Sequence, residues 1–346
     1  MDVLGSLKKR LRKDSLDGIL ISKPANVSYL TGFTGDDSSL LITQEKNIFI
    51  TDFRYYLQAK AEVVGFRIEA PEKVGYFDFI AGLIEKNRLK RVGFEAKNIS
   101  YGQVSQIRDR LRLAEFIPTY NLIEDFRVVK TRREIGLIKK AVAINLAAIK
   151  ETTDIIKIGD TEKQIASLLE FKIKIKGADS VSFDTIVLSG KRSALPHGRP
   201  AQQRIAANQV LLIDSGACFC GYNSDLTRIV FLGKIRPILK KIYGIVKTAQ
   251  KKAIDKIRPG VKASYIDSVA RGYINKSGFG KYFGHSLGHG VGREVHEAPS
   301  LSSRSNDVLK PGMVFTVEPA IYLPDTGGVR IEDMVVITDK GVEILT

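Results

Sequence analysis

Four acidic residues stand within or directly beside runs of aliphatic residues that have the pattern of buried β-strands. Asp214 and Asp225, the first pair, belong to two such runs, and Glu318 and Glu332, the second pair, belong to two others. An ionised carboxylate among buried aliphatic side chains is costly unless a cation or strong hydrogen-bond donors compensate it. The fold must therefore bring a compensating charge to each of these acids.

Each pair of runs surrounds a turn, which predicts two antiparallel hairpins. The first turn lies around residues 221–223 and the second spans residues 324–328. The members of each pair are equidistant from a midpoint, near 219–220 in one hairpin and near 325 in the other, so an antiparallel register sets them side by side. Adjacent carboxylates repel, and one of them takes up a proton unless a counter-charge is present. This pattern favours bound divalent metal over the alternative, ion pairs with Arg228, Arg330 and nearby lysines.

The histidines strengthen the metal interpretation. The chain has four of them, and His285, His289 and His296 lie close together, whereas His197 stands apart. His285 and His289 have the spacing of a helical zinc motif, but the surrounding glycines and the missing glutamate argue against that class. One imidazole with four carboxylates makes an oxygen-rich site that suits two ions of the manganese, cobalt, iron or zinc kind. Two such ions can share a hydroxide nucleophile, so peptide hydrolysis is the predicted chemistry.

The 346 residues suffice for two domains. Strands and helices alternate over the first 120 residues or so, which predicts a mixed sheet covered by helices. A boundary fits between residues 122 and 129. Thr131 and Thr161 then each open a helix with a capping box, and after Gly190 short strands surround one helical interval at about 237–277.

Composition limits the partners. The net charge of +16 (54 − 38) suggests nucleic acid, but the basic residues are spread over helical stretches, so a nucleic-acid partner is not expected. No apolar run approaches the roughly 20 residues that cross a membrane. The N-terminus also lacks the features of a secretion signal, so we expect no membrane association and a cytoplasmic location.

The chain resembles the pita-bread-fold metallopeptidases, specifically aminopeptidase P and prolidase. Eight segments carry the resemblance: 183–187, 195–198, 212–216, 224–228, 288–292, 295–297, 316–319 and 328–333. Residues 26–35 are also similar to the smaller domain of these peptidases and of creatinase. The resemblance implies an α/β (α+β) fold with a creatinase-like mixed α/β domain at 1–123. A pita-bread catalytic domain with internal pseudo-twofold symmetry would follow at 124–346.

The same resemblance implies a role for each site residue. The implied ligands of two divalent ions, Mn²⁺ or else Co²⁺ or Zn²⁺, are Asp214, Asp225, His289, Glu318 and Glu332. Asp225 and Glu332 would bridge the ions, and Glu318 would also act as general base. His197 and His296 would bind the substrate and stabilise the tetrahedral intermediate, and His285 would lie near the leaving-residue pocket. Arg330 shares the strand face of Glu332, where it could orient that carboxylate or contact the substrate.

The implied function is an Xaa-Pro aminopeptidase that acts on short proline-containing peptides through a metal-bridging hydroxide. The alternative is an Xaa-Pro dipeptidase (prolidase) restricted to dipeptides. Methionine aminopeptidase would not explain the N-terminal domain, creatinase lacks the metal ligands, and a non-enzymatic nucleic-acid- or ribosome-binding protein on this fold would have lost them.

A homodimer is expected, in which the smaller domain helps to close the partner's active site. Asp36 and Asp37 lie on a polar loop of that domain. The loop would either bind the substrate ammonium at the mouth of the active site or be a solvated tip. The sequence leaves both possibilities open.

Overall fold

The computed structural model describes residues 2–346, which divide into an N-terminal unit that ends at Phe126 and a C-terminal unit that begins at Arg127. The helices are α1 (Val3–Lys13), α2 (Pro24–Thr31), α3 (Tyr56–Glu62), α4 (Tyr76–Lys86), α5 (Tyr101–Arg108), α6 (Glu124–Arg127), α7 (Arg132–Thr153), α8 (Glu162–Ile175), α9 (Pro237–Ile254) and α10 (Ala263–Lys276), with short 3₁₀ helices at Gly190–Ala194 and Gly280–Tyr282. Among the described residues, no helix is both long and apolar enough to cross a bilayer. The limits 1–123 and 124–346 stay a prediction.

The strands of the N-terminal unit are β1 (Gly18–Ile21), β2 (Ser39–Thr43), β3 (Asn47–Ile50), β4 (Arg67–Glu69), β5 (Arg91–Glu95) and β6 (Glu115–Thr119). They form one sheet in the order β4-β3-β2-β1-β5-β6. Strand β2 runs antiparallel to its two neighbours, while β1, β5 and β6 are parallel. Leu20 and Leu41 pack into one apolar cluster, and Ile19 and Ile42 pack into another. Because successive side chains point to opposite faces, both faces of this sheet are covered, which explains its continuous apolar strands.

The strands of the C-terminal unit are β7 (Ser180–Val181), β8 (Ile186–Ser189), β9 (Gln209–Ser215), β10 (Ala217–Phe219), β11 (Tyr222–Asn223), β12 (Leu226–Leu232), β13 (Gly288–Gly290), β14 (Glu297–Leu301), β15 (Val314–Val317), β16 (Ala320–Leu323), β17 (Gly327–Arg330), β18 (Asp333–Thr338) and β19 (Gly341–Ile344). One apolar cluster packs α7 and α8 against these strands, and another packs α9 and α10 against them. The strands that carry the acidic residues thus lie between two pairs of helices.

The predicted helix starts at Thr131 and Thr161 are confirmed, since both residues form complete capping boxes. The helical interval expected at about 237–277 is confirmed, and it consists of the two helices α9 and α10. Pro259 lacks a backbone N–H group, and Gly260 adopts a left-handed conformation with φ of 84°. Neither residue can continue an α-helix at this point.

The hairpin registers decide which acids face each other. In the first hairpin Asp214 lies opposite Thr227, so the expectation that it faces Asp225 is wrong by two residues. The tight turn is centred on Cys220 and Gly221, both with positive φ, one residue later than the predicted midpoint. Left-handed residues at both central positions are the geometry of two-residue hairpin turns.

The second hairpin has the predicted register. Val317 pairs with Asp333 on one side of the acids, and Ala320 pairs with Arg330 on the other. The same register places Glu318 directly opposite Glu332, in the gap between the two ladders. This pair therefore lies side by side as the spacing predicted.

Candidate metal centre and active site

The nine residues predicted for the active site of the C-terminal unit line one cavity of about 460 Å³. They are Asp214, Asp225, Glu318, Glu332, His197, His285, His289, His296 and Arg330. Strands β9, β13 and β17 carry three of them, and the others lie at strand ends or in loops. The antiparallel strands thus collect residues that are more than 130 positions apart in the sequence.

Three groups of side chains in this cavity have ligand atoms within 4.8 Å of one another. Asp214, Asp225 and Glu332 form one group, and Glu332 also belongs to a second group with His289 and Glu318. The third consists of Asp225, His289 and His296. Asp225, Glu332 and His289 therefore each belong to two groups. Of these three, the two carboxylates each have two acceptor oxygens, which a residue that would contact two ions needs.

Ion pairs within the chain do not neutralise the four acids. Arg228 pairs with Asp333 at 2.9 Å, and neither of those residues is one of the four. Arg330 is buried and donates a hydrogen bond to Asp214. His289 lies 3.6 Å from Asp225 and 3.3 Å from Glu318 and can add a second positive charge. Two cations cannot balance four carboxylates, so the alternative based on ion pairs leaves at least half of the negative charge uncompensated.

Without a further cation, burial disfavours ionisation of these acids. It raises the pKa of Asp225 and of Glu332 well above the ordinary carboxyl value, and neighbouring carboxylates add to the effect. Burial also raises the pKa of Asp214 against the opposing charge of Arg330. The Oδ1 atom of Asp214 is buried and has no hydrogen-bond partner. An orphaned oxygen in an oxygen-rich cluster fits a divalent cation.

Glu318 behaves differently from the other three acids. Burial opposes its ionisation, but the hydrogen bond and the charge of His289, together with the charge of Arg330, leave its pKa below the ordinary value. The Nε2 atom of His289 lies 3.3 Å from Oε1 of Glu318. Thr316 also donates a hydrogen bond to that oxygen at 3.1 Å. Glu318 is thus held as a carboxylate at the edge of the cluster.

Two residues that the sequence analysis missed connect the acids to Arg330. Thr227 donates to Glu332 at 2.6 Å and accepts from Nε of Arg330 at 2.9 Å. Tyr322 accepts from Nη1 of Arg330 at 2.7 Å. A signal for Tyr322 exists in the sequence, since it stands four residues after Glu318 in a strand-like run and so shares its face. The role of Thr227 could be inferred only with the correct register of the first hairpin, which places it opposite Asp214.

Residues 136–339 match the description "Metallopeptidase family M24", and residues 4–129 match "Creatinase/Prolidase N-terminal domain". The chain belongs to metallopeptidase family M24. It is therefore an enzyme, a metallo-exopeptidase, and the expected fold class is confirmed: a creatinase-type N-terminal domain precedes a pita-bread catalytic domain.

Relatives of this M24 peptidase match it over almost the whole chain. The solved structure of an Xaa-Pro dipeptidase from Bacillus anthracis is 40% identical, covers 100% of this chain and 97% of its own, and has a TM-score of 0.96. The Xaa-Pro dipeptidase of Pyrococcus furiosus is 39% identical over 99% of this chain and 97% of its own length. The X-Pro aminopeptidase of Thermotoga maritima MSB8, also a solved structure, is 39% identical, with 97% of each chain covered and a TM-score of 0.90.

The histidines of the M24 peptidase have defined surroundings. The ring of His296 lies 4.2 Å from that of His289, centroid to centroid, and burial lowers the pKa of His296. Burial also lowers the pKa of His285, whose Nε2 atom lies 3.3 Å from Oη of Tyr322. Because lowered values lie below the ordinary imidazole pKa of about 6.5, both rings are neutral near pH 7. The neutral ring of His296 can donate one hydrogen bond to a substrate, whereas the single N–H of neutral His285 donates from Nδ1 to the carbonyl oxygen of Ser286 at 2.8 Å.

A buried ion network supports the strand next to His296. The Glu297 carboxylate accepts from Nζ of Lys130 at 2.7 Å and from Nη2 of Arg127. Arg127 also donates to Glu294 at 2.8 Å. The side chains of Lys130 and Glu297 are only 1% and 6% exposed. Although the sequence analysis included Glu297 in a family motif, it gave this residue no role, because its partners lie about 170 residues earlier in the chain.

Asp36 and Asp37 line a cavity of about 450 Å³ in the N-terminal unit. Asp37 accepts a hydrogen bond from Nη2 of Arg54 at 2.6 Å, and both side chains are more than half exposed. The role in binding a substrate ammonium stays a prediction.

Proposed function

We propose that this M24 peptidase is an Xaa-Pro dipeptidase that uses two divalent cations. The observation that supports the proposal is the full-length similarity to Xaa-Pro dipeptidases of a chain whose nine predicted site residues line one cavity. The aminopeptidase interpretation of the sequence has weaker support, since more of the similar proteins are dipeptidases or prolidases. It remains the second candidate because of the similarity to the Thermotoga X-Pro aminopeptidase.

The proposed ligands of the two cations are Asp214, Asp225, His289, Glu318 and Glu332. Asp225 and Glu332 would contact both ions, since each belongs to two ligand groups and each has two carboxylate oxygens. When bound, such cations lower the pKa of water and polarise a peptide carbonyl. The oxygen-rich donor set suits manganese, with cobalt or zinc as alternatives.

Glu318 is the proposed general base. Its lowered pKa keeps it ionised, and it lies at the edge of the ligand cluster beside His289. It would accept a proton from the attacking water and deliver that proton to the proline nitrogen as the peptide bond breaks. His197 and His296 would donate hydrogen bonds to the carbonyl oxygen as negative charge develops on it. Arg330 would hold Asp214 and, through Thr227, Glu332 in place.

The apolar part of the cavity suits a proline ring. Phe183, Ile186, Pro196 and Val295 line it together with His285. A pyrrolidine ring buries its methylene groups against such surfaces without leaving an N–H group unpaired, because the proline nitrogen of an Xaa-Pro bond carries no hydrogen. We place the leaving proline against these side chains, with His285 at its edge.

The test compares three substrates with the same N-terminal residue: Xaa-Pro, Xaa-Pro-Yaa and Xaa-Ala. The proposal expects hydrolysis of Xaa-Pro with a kcat/KM at least about tenfold above that of the other two, a factor equal to 1.4 kcal/mol. Equal or faster hydrolysis of Xaa-Pro-Yaa would restore the aminopeptidase interpretation. If Xaa-Ala and Xaa-Pro are hydrolysed with equal kcat/KM, the enzyme is not specific for proline. Glu318→Gln serves as the inactive control.

A homodimer, a cytoplasmic location and the absence of a nucleic-acid partner also remain proposals. The similarity to dipeptidases supports short proline-containing peptides as the substrates. These proposals are independent of the substrate test above.

A further inference from the structure

Two side chains with a permanent positive charge line the active-site cavity, in the part of the chain that the structure describes: Arg199 and Arg330. Four of the five N–H donors of Arg330 are engaged. Its Nε donates to Thr227, its Nη1 donates to Tyr322 and to the carbonyl oxygen of Pro196, and its Nη2 donates to Asp214. Arg330 therefore has one N–H left and cannot offer a substrate carboxylate two parallel hydrogen bonds, whereas Arg199 has a different environment.

The guanidinium of Arg199 is loosely held. Its side chain is 88% exposed, and Nη2 lies 3.9 Å from Oδ2 of Asp184, whose side chain is 91% exposed. Ion pairs between solvent-exposed groups contribute little, and this one is at the limit of contact. Arg199 can therefore exchange Asp184 for another carboxylate at small cost.

The backbone at Arg199 is, in contrast, firmly anchored. Nη2 of Arg192 donates to the carbonyl oxygen of Arg199 at 2.7 Å. The fully buried carboxylate of Glu162 accepts from Nε of Arg192 at 2.9 Å and from the backbone N–H of Ala201 at 3.1 Å. This anchoring fixes the loop that also carries His197. Arg199 thus combines an exposed, loosely paired guanidinium with an anchored backbone at the cavity wall.

We propose that Arg199 binds the free carboxylate of the dipeptide substrate and thereby determines the preference for dipeptides over longer peptides. This inference rests on the proposed dipeptidase function and deepens it. In Xaa-Pro the carboxylate belongs to the proline itself, so it enters the same cavity as the scissile bond. The planar guanidinium can pair with both oxygens of a carboxylate. Asp184, the present partner of Arg199, is the group that the substrate would replace.

The experiment measures kcat and KM for Xaa-Pro and for the same dipeptide with an amidated C-terminus. Wild-type enzyme should prefer the free acid. In Arg199→Ala, KM for the free acid should rise about 10- to 100-fold, the range of a hydrogen bond to a charged group, while KM for the amide and the metal content stay unchanged. Arg199→Lys should recover part of the preference, because lysine keeps the charge but cannot form the two parallel hydrogen bonds.

Lys191→Ala is the matched control. Lys191 is exposed and does not line the cavity, so its removal changes the net charge equally without touching the substrate. It should leave both KM values unchanged. If Arg199→Ala keeps the wild-type preference, or loses activity equally toward acid and amide, the role assigned to Arg199 is wrong while the dipeptidase function stands. If wild-type enzyme shows no preference for the free acid, both proposals fail together.

Discussion

Replacing Glu297 by glutamine should destabilise the catalytic unit by about 3–5 kcal/mol, the usual cost of removing one partner from a buried ion pair. We expect a loss of this size because the cation that remains is almost inaccessible to water. The side chain of Lys130 is 1% exposed, and its partner is Glu297 at 2.7 Å. The charge of Arg127 is less affected, because Arg127 retains its ion pair with Glu294 at 2.8 Å. Glutamine preserves the shape but supplies no negative charge.

The effect of this substitution should depend on pH. Burial opposes ionisation of Glu297, but the charges of Lys130 and Arg127 outweigh it and leave its pKa below the ordinary value. A carboxyl group whose pKa is lowered on folding stabilises the protein fully above its unfolded pKa of about 4.3. That stabilisation disappears as the pH falls through the lower, folded pKa. The difference in the free energy of unfolding between wild type and Glu297→Gln should therefore have its full size at pH 7 and should shrink as the pH falls below about 4.3.

Thermal unfolding followed by circular dichroism measures this difference in stability. For a unit of this size, 3–5 kcal/mol corresponds to a Tm about 6–20 °C lower at pH 7. Glu343→Gln is the control: its partner Lys139 and Glu343 itself are 44% and 47% exposed, so its loss should change stability by less than about 1 kcal/mol. The additional change Lys130→Met should recover much of the lost stability. A shift for Glu297→Gln no larger than that for Glu343→Gln would refute the reasoning.

The remaining predictions concern metal, catalysis and assembly. Asp225→Asn should bind one divalent ion or fewer after manganese loading, where wild type binds two; unchanged metal analysis would contradict its bridging role. His197→Ala and His296→Ala should keep their metal but lose about 10²–10³ in kcat, and a variant with normal turnover would show that its role is wrong. Light scattering should detect a dimer, and an active 38.3 kDa particle would exclude it. Asp37→Ala should raise KM for short peptides; an unchanged KM would identify a solvated loop.

The two hairpins show how far sequence symmetry predicts geometry. Glu318 and Glu332 lie opposite each other as their spacing predicted, because the turn is centred on Asp325, the predicted midpoint. Asp214 faces Thr227 instead of Asp225, because Cys220 shares the tight turn with Gly221 in a left-handed conformation. Non-glycine residues seldom adopt that conformation, so no local signal favoured Cys220. Asp225 nevertheless reaches the cluster from its position immediately before β12.

The sequence by itself determined the chemical type of the site and the elements that carry it. Acids within aliphatic strands demand cations, and capping boxes and strand periodicity are local properties that short segments express on their own. Only the tertiary structure decided which cations are engaged and which are free. It surrounds Arg330 with four acceptors, leaves Arg199 exposed on an anchored loop, and joins Glu297 to Lys130 across 167 positions. Burial and hydrogen bonding at these residues depend on distances between remote parts of the chain, and no local pattern encodes such distances.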